Sequence, residues 1–223
     1  MTTRPLDPPR PTIVVVPVRG LEGAKSRLGE ALDAEERRDL VEQLLRHTIA
    51  TALATTGVTE VAVISPDPEV LELAAASGAR AIAQRSRGLN PAIHEARAAV
   101  PSDARLLVLP SDLPALSPQA LRSVLDAADA AAPPCVVIVP DRHGRGTNAL
   151  LLDPPDVIDP AFGGDSRAAH AWLASSGGAA FVEVEGVLGL DVDTPDDLLL
   201  ADGLAPRPSD EQAPQAVGEA RRS

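Results

Sequence analysis

The sequence has 223 residues, enough for one good-sized domain and too few for two. Hydrophobic residues make up 44% of it, yet it has two Phe, one Trp and no Tyr, so the core must be aliphatic and a base-stacking face of aromatics is nearly excluded. The net charge of −12 argues against a nucleic-acid surface but not against a small anionic substrate, which needs only a local cluster of donors.

Residues 1–11 are Pro-rich and expected to be disordered. The opening MTTRPLDPPRP has no apolar stretch of the secretory kind, and no apolar run reaches the ~18 residues of a membrane span. The single Cys135 forms no internal disulfide, which fits a reducing cytoplasm. Thr12–Val18 (TIVVVPV) is a β-branched run, the pattern of a buried strand. The loop that follows, Arg19–Leu28, gathers Arg19, Lys25 and Arg27 beside two glycines. Glycine lets backbone N–H groups approach a phosphate and the cations neutralise it, although a basic surface turn would look the same. The loop is neither a Walker A nor a GxGxxG loop. Lys25 is the lone lysine among 20 basic residues, which fits a role needing a compact ammonium and a random surface lysine equally well.

A helix is predicted from Asp33 to about Thr55, with Asp33 as N-cap, Glu36 completing a capping box and Gly57 ending it. Then come a strand at Val58–Ser65, a helix from Pro68 to Ala76 stopped at Gly78, a short strand at Ala79–Gln84, a loop and a helix over Pro91–Ala99. Arg105–Pro110 reads as a strand running into PSDLP, and Ser117–Ala131 as a helix capped by Ser117 with Pro118 first. Cys135–Pro140 and Asn148–Leu152 are apolar runs, Ser166–Ser175 is helical, and Phe181–Val184 and Val187–Asp191 are short strands. Thr194 caps a last helix from Pro195 to about Ala201. Residues 203–223 lack periodicity and read as a disordered tail, leaving one domain over residues 12–202. Strands alternating with helices imply a mostly parallel sheet covered on both faces, with an antiparallel or mixed part after Ala132 where the alternation breaks. In such sheets ligands bind at the carboxyl ends of the strands.

Several of those ends carry chemistry. Asp112, held between prolines after a buried strand, suits a hard cation such as Mg²⁺ or a helix cap equally well. Asp191 and Asp193 share a strand face, where two carboxylates repel unless a cation lies between them, so they are assigned to metal. Asp196 and Asp197 fit a helix N-terminus. In RGTNALLL, Thr147 and its neighbours offer a hydroxyl, an amide and backbone N–H groups. In FGGDSRAAH, Gly163 and Gly164 lead into Ser166 at a helix start, a natural anion site, although taken alone a plain turn and helix cap account better for each of these two segments. In GLNPAI, Asn90 either reads a base edge or caps the helix. The four histidines have no metal-ligand spacing and are given no catalytic role, although His170 lies one helical turn from Ser166 and could line its pocket.

Singly these loops are weak signals, but in this order they are specific. AKSRL near residue 25, GLNPAI near 90, LPSDLPALS near 112, GRGTNALLLDPP near 147, FGGDS near 164 and GLDVDTPDDL near 193 resemble the CofC family, the 2-phospho-L-lactate or phosphoenolpyruvate guanylyltransferases of coenzyme F420 biosynthesis. The resemblance covers about residues 12–202. It implies a nucleotide-diphospho-sugar-transferase-like (Rossmann-like) α/β three-layer sandwich with a mostly parallel, partly mixed sheet. It implies transfer of GMP from GTP to a phosphorylated three-carbon acid, with Mg²⁺ as cofactor and pyrophosphate released, and a second transferase that takes the labile product. On this resemblance Lys25 and Arg27, with Arg19, hold GTP phosphates and Asn90 lies near the nucleoside. Asp112 with Asp191 or Asp193 holds the metal, Thr147, Gly163 and Ser166 bind the acid, and Lys25 and Asp112 matter most for catalysis. The protein is expected to be cytoplasmic, a monomer or homodimer.

The sequence departs from the family in two places: Arg19 stands where Lys is common, and Arg167 follows Ser166 where an apolar aromatic is frequent. The residues suit the chemistry, because the acceptor is already an anion and needs no general base, only positioning and cations to absorb the leaving group's charge. A molybdopterin- or sugar-phosphate nucleotidyltransferase would open with an AGG-type loop, which VPVRGLEGAKSRL lacks. A non-catalytic nucleotide-binding module would need neither metal carboxylates nor an acid pocket. The Arg-rich, Lys-poor composition leans the acid toward phosphoenolpyruvate, with 2-phospho-L-lactate and 3-phosphoglycerate as alternatives.

Overall fold

The structure, a computed structural model, describes residues 10–21, 28–29, 31–186, 188, 191 and 197. The expectations for residues 1–9, for most of the segment after 186 and for the tail lie outside the described residues. So do those for Lys25, Arg27 and Asp193.

The elements run β1 (Thr12–Pro17), α1 (Ala34–Ala54), β2 (Val58–Ser65), α2 (Pro68–Ala76), β3 (Arg80–Ala83), α3 (Leu89–Arg97), β4 (Arg105–Val108), α4 (Pro118–Ala130), β5 (Cys135–Pro140), β6 (Thr147–Asp153), α5 (Ser166–Ser176) and β7 (Ala180–Glu183). Local chemistry sets most of these boundaries. Asp33 Oδ1 accepts from Glu35 N and Glu36 N while Glu36 Oε2 accepts from Asp33 N, the predicted capping box. Asp67 and Ser117 cap α2 and α4, each followed by a proline whose missing N–H costs nothing there.

The described strands form one sheet in the order β3-β2-β1-β4-β6-β5-β7. β6 alone among them is reversed, pairing antiparallel with both β4 and β5. It follows β5 through a tight turn in which Gly144 has φ 69° and Arg145 N donates to Asp141 Oδ1, and a connection so short returns the chain antiparallel. This is the mixed part expected after Ala132. β1, β4, β5 and β6 are almost wholly buried, so they read as continuous apolar runs. Alternate strand residues feed two cores. Val14, Val63, Leu107 and Val137 pack under α1, α2 and α4, and Val15, Ile64, Leu106 and Ile138 pack under α3 and α5. That gives the three layers. No described helix is long and apolar enough to cross a membrane.

Several element ends fall one or two residues from expectation, and the start of α3 has a physical reason. α3 begins at Leu89, two residues earlier than the sequence suggests, with Gly88 at φ 100° as N-cap. Only glycine adopts that φ cheaply, so the helix opens from a left-handed residue instead of a polar cap. Asn90 therefore sits inside the first turn and does not cap it.

Candidate active site

Because β6 is antiparallel, its first residues lie beside the carboxyl end of β4, on the edge where β1, β2 and β3 also end. Thr147 and Asn148, the PSDLP loop after β4 and Arg19 after β1 thus share one rim.

On the β1 side a cavity of about 570 Å³ is lined by Pro17, Arg19, Pro66, Gln84, Arg87 and Leu89, among others. Arg19 is exposed there. Two carboxylates shape the walls. Asp67 Oδ1 caps α2 through Glu69 N, while its Oδ2 accepts from Leu21 N at 3.0 Å, tying the loop after β1 to the start of α2. A Cβ on Gly20 would come 3.1 Å from that Oδ2, a tight approach that would make the Asp67 carboxylate shift by a few tenths of an ångström. Glu95 accepts from Arg85 N, Ser86 N and Ser86 Oγ, and these backbone donors hold its carboxyl below the ordinary range. Gln84 Nε2 donates to the carbonyls of Ser86 and Gly88. Asp67 caps α2 through a residue two positions away, but its second oxygen, and the whole role of Glu95, depend on partners that only folding brings near.

The other side of the rim is built from β6, the 161–165 turn and α5. Thr147 Oγ1 lies 3.1 Å from His170 Nδ1, and His170 Nε2 accepts from Ala161 N at 3.0 Å. The ring is fully buried, its pKa is pushed down to about 4 by that burial, and Phe162 packs edge-on against it at 5.2 Å. Gly163 and Gly164 face open space where a Cβ would point, so packing does not demand glycine at either position. Ser166 is buried as the first residue of α5. Its N–H is taken by Gly163 O and that of Arg167 by Arg145 O. An anion at this helix start therefore meets the glycine turn and hydroxyls more than these two N–H groups.

Asn90 joins the two sides. Its Nδ2 donates to Phe162 O at 3.0 Å and its Oδ1 accepts from Phe162 N at 2.8 Å. Both ends of the amide are thus engaged, and a base edge would have to displace that pair. Arg167 points away from the 161–165 turn. Its guanidinium forks onto both oxygens of Glu183 and donates to Gly144 O, so the departure at this position serves the β5–β6 turn and not the pocket.

Asp112 and Asp191 are both half-buried. Asp112 follows β4, and Asp191 lies three residues beyond Leu188, whose carbonyl is held by Asn148 Nδ2 at 3.1 Å. Asn148 thereby draws the late segment to the head of β6. Asp197 is buried at a helical position, as the sequence suggests, and is also paired with Arg142 of the β5–β6 turn.

By superposition the architecture is that of the nucleotide-diphospho-sugar transferases and the nucleotidyl-transferring enzymes that share their fold. A structure from Desulfovibrio desulfuricans G20 assigned to the nucleotide-diphospho-sugar transferases matches with a TM-score of 0.68 at 17% identity, covering 84% of each chain. Glucosyl-3-phosphoglycerate synthase from Mycobacterium tuberculosis, in complex with Mn²⁺, UDP and phosphoglyceric acid, matches with a TM-score of 0.59 at 17% identity, covering 87% of this chain and 76% of the other. At such identities the likeness is one of fold. Residues 12–201 match the family described as guanylyl transferase CofC like, and the chain belongs to that family. It is 45% identical over 201 residues to the phosphoenolpyruvate guanylyltransferase of Sphaerobacter thermophilus, covering 87% of this chain and 94% of the relative. It is 42% identical over 187 residues to that of Rubrobacter xylanophilus, covering 82% and 90%.

Proposed function

We propose that this chain is a phosphoenolpyruvate guanylyltransferase. It joins the GMP moiety of GTP to the phosphate of phosphoenolpyruvate, giving enolpyruvyl-diphospho-guanosine and pyrophosphate, in coenzyme F420 biosynthesis. The observation that carries this reading is 45% identity to an enzyme of that name over most of both chains, together with a family match over residues 12–201 that takes in all the site loops.

A phosphate oxygen of the acid attacks the α-phosphorus in line as the bond to the β-phosphate breaks. One phosphoanhydride forms as another is cleaved, and no proton moves. The chain's task is to hold two anions together and take up the charge that develops on pyrophosphate. We assign GTP to the β1 side, with the phosphates near Arg19, Lys25 and Arg27 and the nucleoside in the 570 Å³ cavity. We assign the acid to Thr147, Gly163 and Ser166, with Asn90 as the tie between the two sides.

Asp112 with Asp191 or Asp193 fits a hard cation. Mg²⁺ keeps most of its shell for water and phosphate oxygens and asks for one or two carboxylates, the donor set assigned here. Mn²⁺ with nucleotide in the mycobacterial synthase of the same fold supports a divalent ion here. The ion would neutralise phosphate charge that an acidic chain otherwise repels. A cytoplasmic location follows from GTP and phosphoenolpyruvate as substrates.

The test is pyrophosphate release from GTP with phosphoenolpyruvate, 2-phospho-L-lactate and 3-phosphoglycerate taken separately, with ATP as control. We expect release with GTP and phosphoenolpyruvate, its loss on chelation and its return with Mg²⁺. Release with another acid only moves the substrate, and release with none leaves a nucleotide-binding fold without this reaction. Activity that persists under chelation removes the metal assignment.

A further inference from the structure

We propose that His170 is a positioning residue for the acid substrate: it compels the Thr147 hydroxyl to offer its proton to the bound anion while it holds the 161–163 turn. This rests on Thr147 belonging to the acid site, as proposed above.

The argument is a count of protons. The Ala161 backbone N–H can only donate, and it points at His170 Nε2. That nitrogen must therefore present its lone pair. A neutral imidazole with a bare Nε2 carries its proton on Nδ1. Nδ1 faces Thr147 Oγ1, so the histidine donates and the hydroxyl accepts. The hydroxyl's own proton is then directed elsewhere, and no acceptor for it is found among the described residues. Thr147 is barely exposed, so its proton is presented within the rim and not to bulk water. The result is a donor aimed where a phosphate or carboxylate oxygen would lie.

The alternative states are costly. With the proton on Nε2, two donors would face each other at Ala161, and Thr147 would turn its proton onto Nδ1 and show the anion only lone pairs. A buried N–H without a partner costs about 1–3 kcal/mol. The charged ring would make the same clash at Ala161, and burial opposes it. Phe162 packs edge-on against the buried ring, and Asn90 fixes the Phe162 backbone from α3. The polarity of one hydroxyl is thus set by a neutral histidine that never touches substrate.

The experiment uses the full chain. In ¹⁵N-histidine spectra of the wild type, the resonances lost in His170→Asn should show a protonated Nδ1 and a bare Nε2; the reverse tautomer overturns the proposal without any functional assay. In steady-state kinetics His170→Ala should raise KM for phosphoenolpyruvate about tenfold or more, with KM for GTP within about twofold, on the scale of one hydrogen bond to a charged group. His170→Asn places an amide nitrogen near the Nδ1 position and should recover most of the acid KM but not thermal stability. His170→Gln places an amide oxygen near the Nε2 position and should recover stability but not the acid KM. Equal rises in both KM values, or a lowered melting temperature with an unchanged acid KM, would make His170 a core residue only. Thr147→Val separates the layers. If it leaves the acid KM unchanged, the acid-site reading fails. If it raises that KM while His170→Ala does not, the positioning role alone fails.

Discussion

At the scale of the residue, burial has its clearest consequence at His170. Nothing charged accounts for its low pKa; loss of solvation does, and the ordinary value of 6.5 returns when the chain unfolds. The folded pKa, about 4, lies below the unfolded one, so between those values the unfolded chain binds the extra proton. The contribution is therefore whole above about pH 6.5 and is lost as pH falls toward 4, amounting to at most about 3 kcal/mol. The urea midpoint of the wild type should fall more steeply between pH 7.5 and 4.5 than that of His170→Gln, in which the carboxylates titrate but the imidazole is gone. Parallel losses in the two proteins would show that the ring is not held neutral by the fold. Cys135 is governed by the same physics in the opposite sense. Burial and neighbouring Asp153 push its thiol up to about 11, so it is no nucleophile at neutral pH.

At the scale of the element, α3 and the turn before α5 behave as one piece because of a two-bond clamp. Asn90 meets both backbone groups of Phe162, and the helix that carries Asn90 also carries Glu95, which holds the 85–86 loop. The wall of the β1-side cavity, proposed for GTP, and the 161–163 turn, proposed for the acid, therefore share a support. Asn90→Ala should cost about 1–3 kcal/mol in stability. It should also lower kcat/KM for both substrates together, read from thermal melts and from pyrophosphate release with each substrate varied in turn. Asn90→Asp should not rescue it, since a carboxylate oxygen would face the Phe162 carbonyl. An effect confined to GTP would instead place Asn90 at the base. The helix pattern of α1 and α2 was readable because their caps lie within three residues of the first turn, whereas α3 opens at Gly88 for reasons of backbone angle that no polar cap announces.

At the scale of the whole molecule, the two edges of the sheet have different work. The rim at the carboxyl ends of β1 and β4 carries the loops just discussed. The opposite edge carries an ion network: Asp153, 1% exposed, accepts from Arg105 at 2.9 Å and from Arg10 at 2.6 Å, and Arg105 reaches Asp129 of α4 at 2.6 Å. Removing one member strands a buried charge. Asp153→Ala should destabilise the protein by about 3 kcal/mol in urea titrations, while kcat/KM per folded enzyme stays within about twofold, because the change is a full strand length from the rim. A large loss of turnover in folded Asp153→Ala would show that the far edge positions the site.

What the sequence determined by itself is whatever depends on near neighbours: the apolar runs of the strands, the capping box at Asp33, the Pro-led starts of α2 and α4, and a set of loop motifs distinctive enough to mark the family. Those signals lie within a few residues of the atoms they control. What only the tertiary structure decided is pairing over long separations. The reversal of β6 puts Thr147 on the same rim as Asp112. Asn90 goes to Phe162 and not to its own helix end, Arg167 turns to Glu183, and Asp67 gives its second oxygen to Leu21. His170, without a motif of its own, acquires a defined tautomer because Ala161 and Thr147 close on it from two different segments. A hydrogen bond between residues far apart in the chain leaves no periodicity and no local cap to read, so its partners became known only once the sheet order had brought them together.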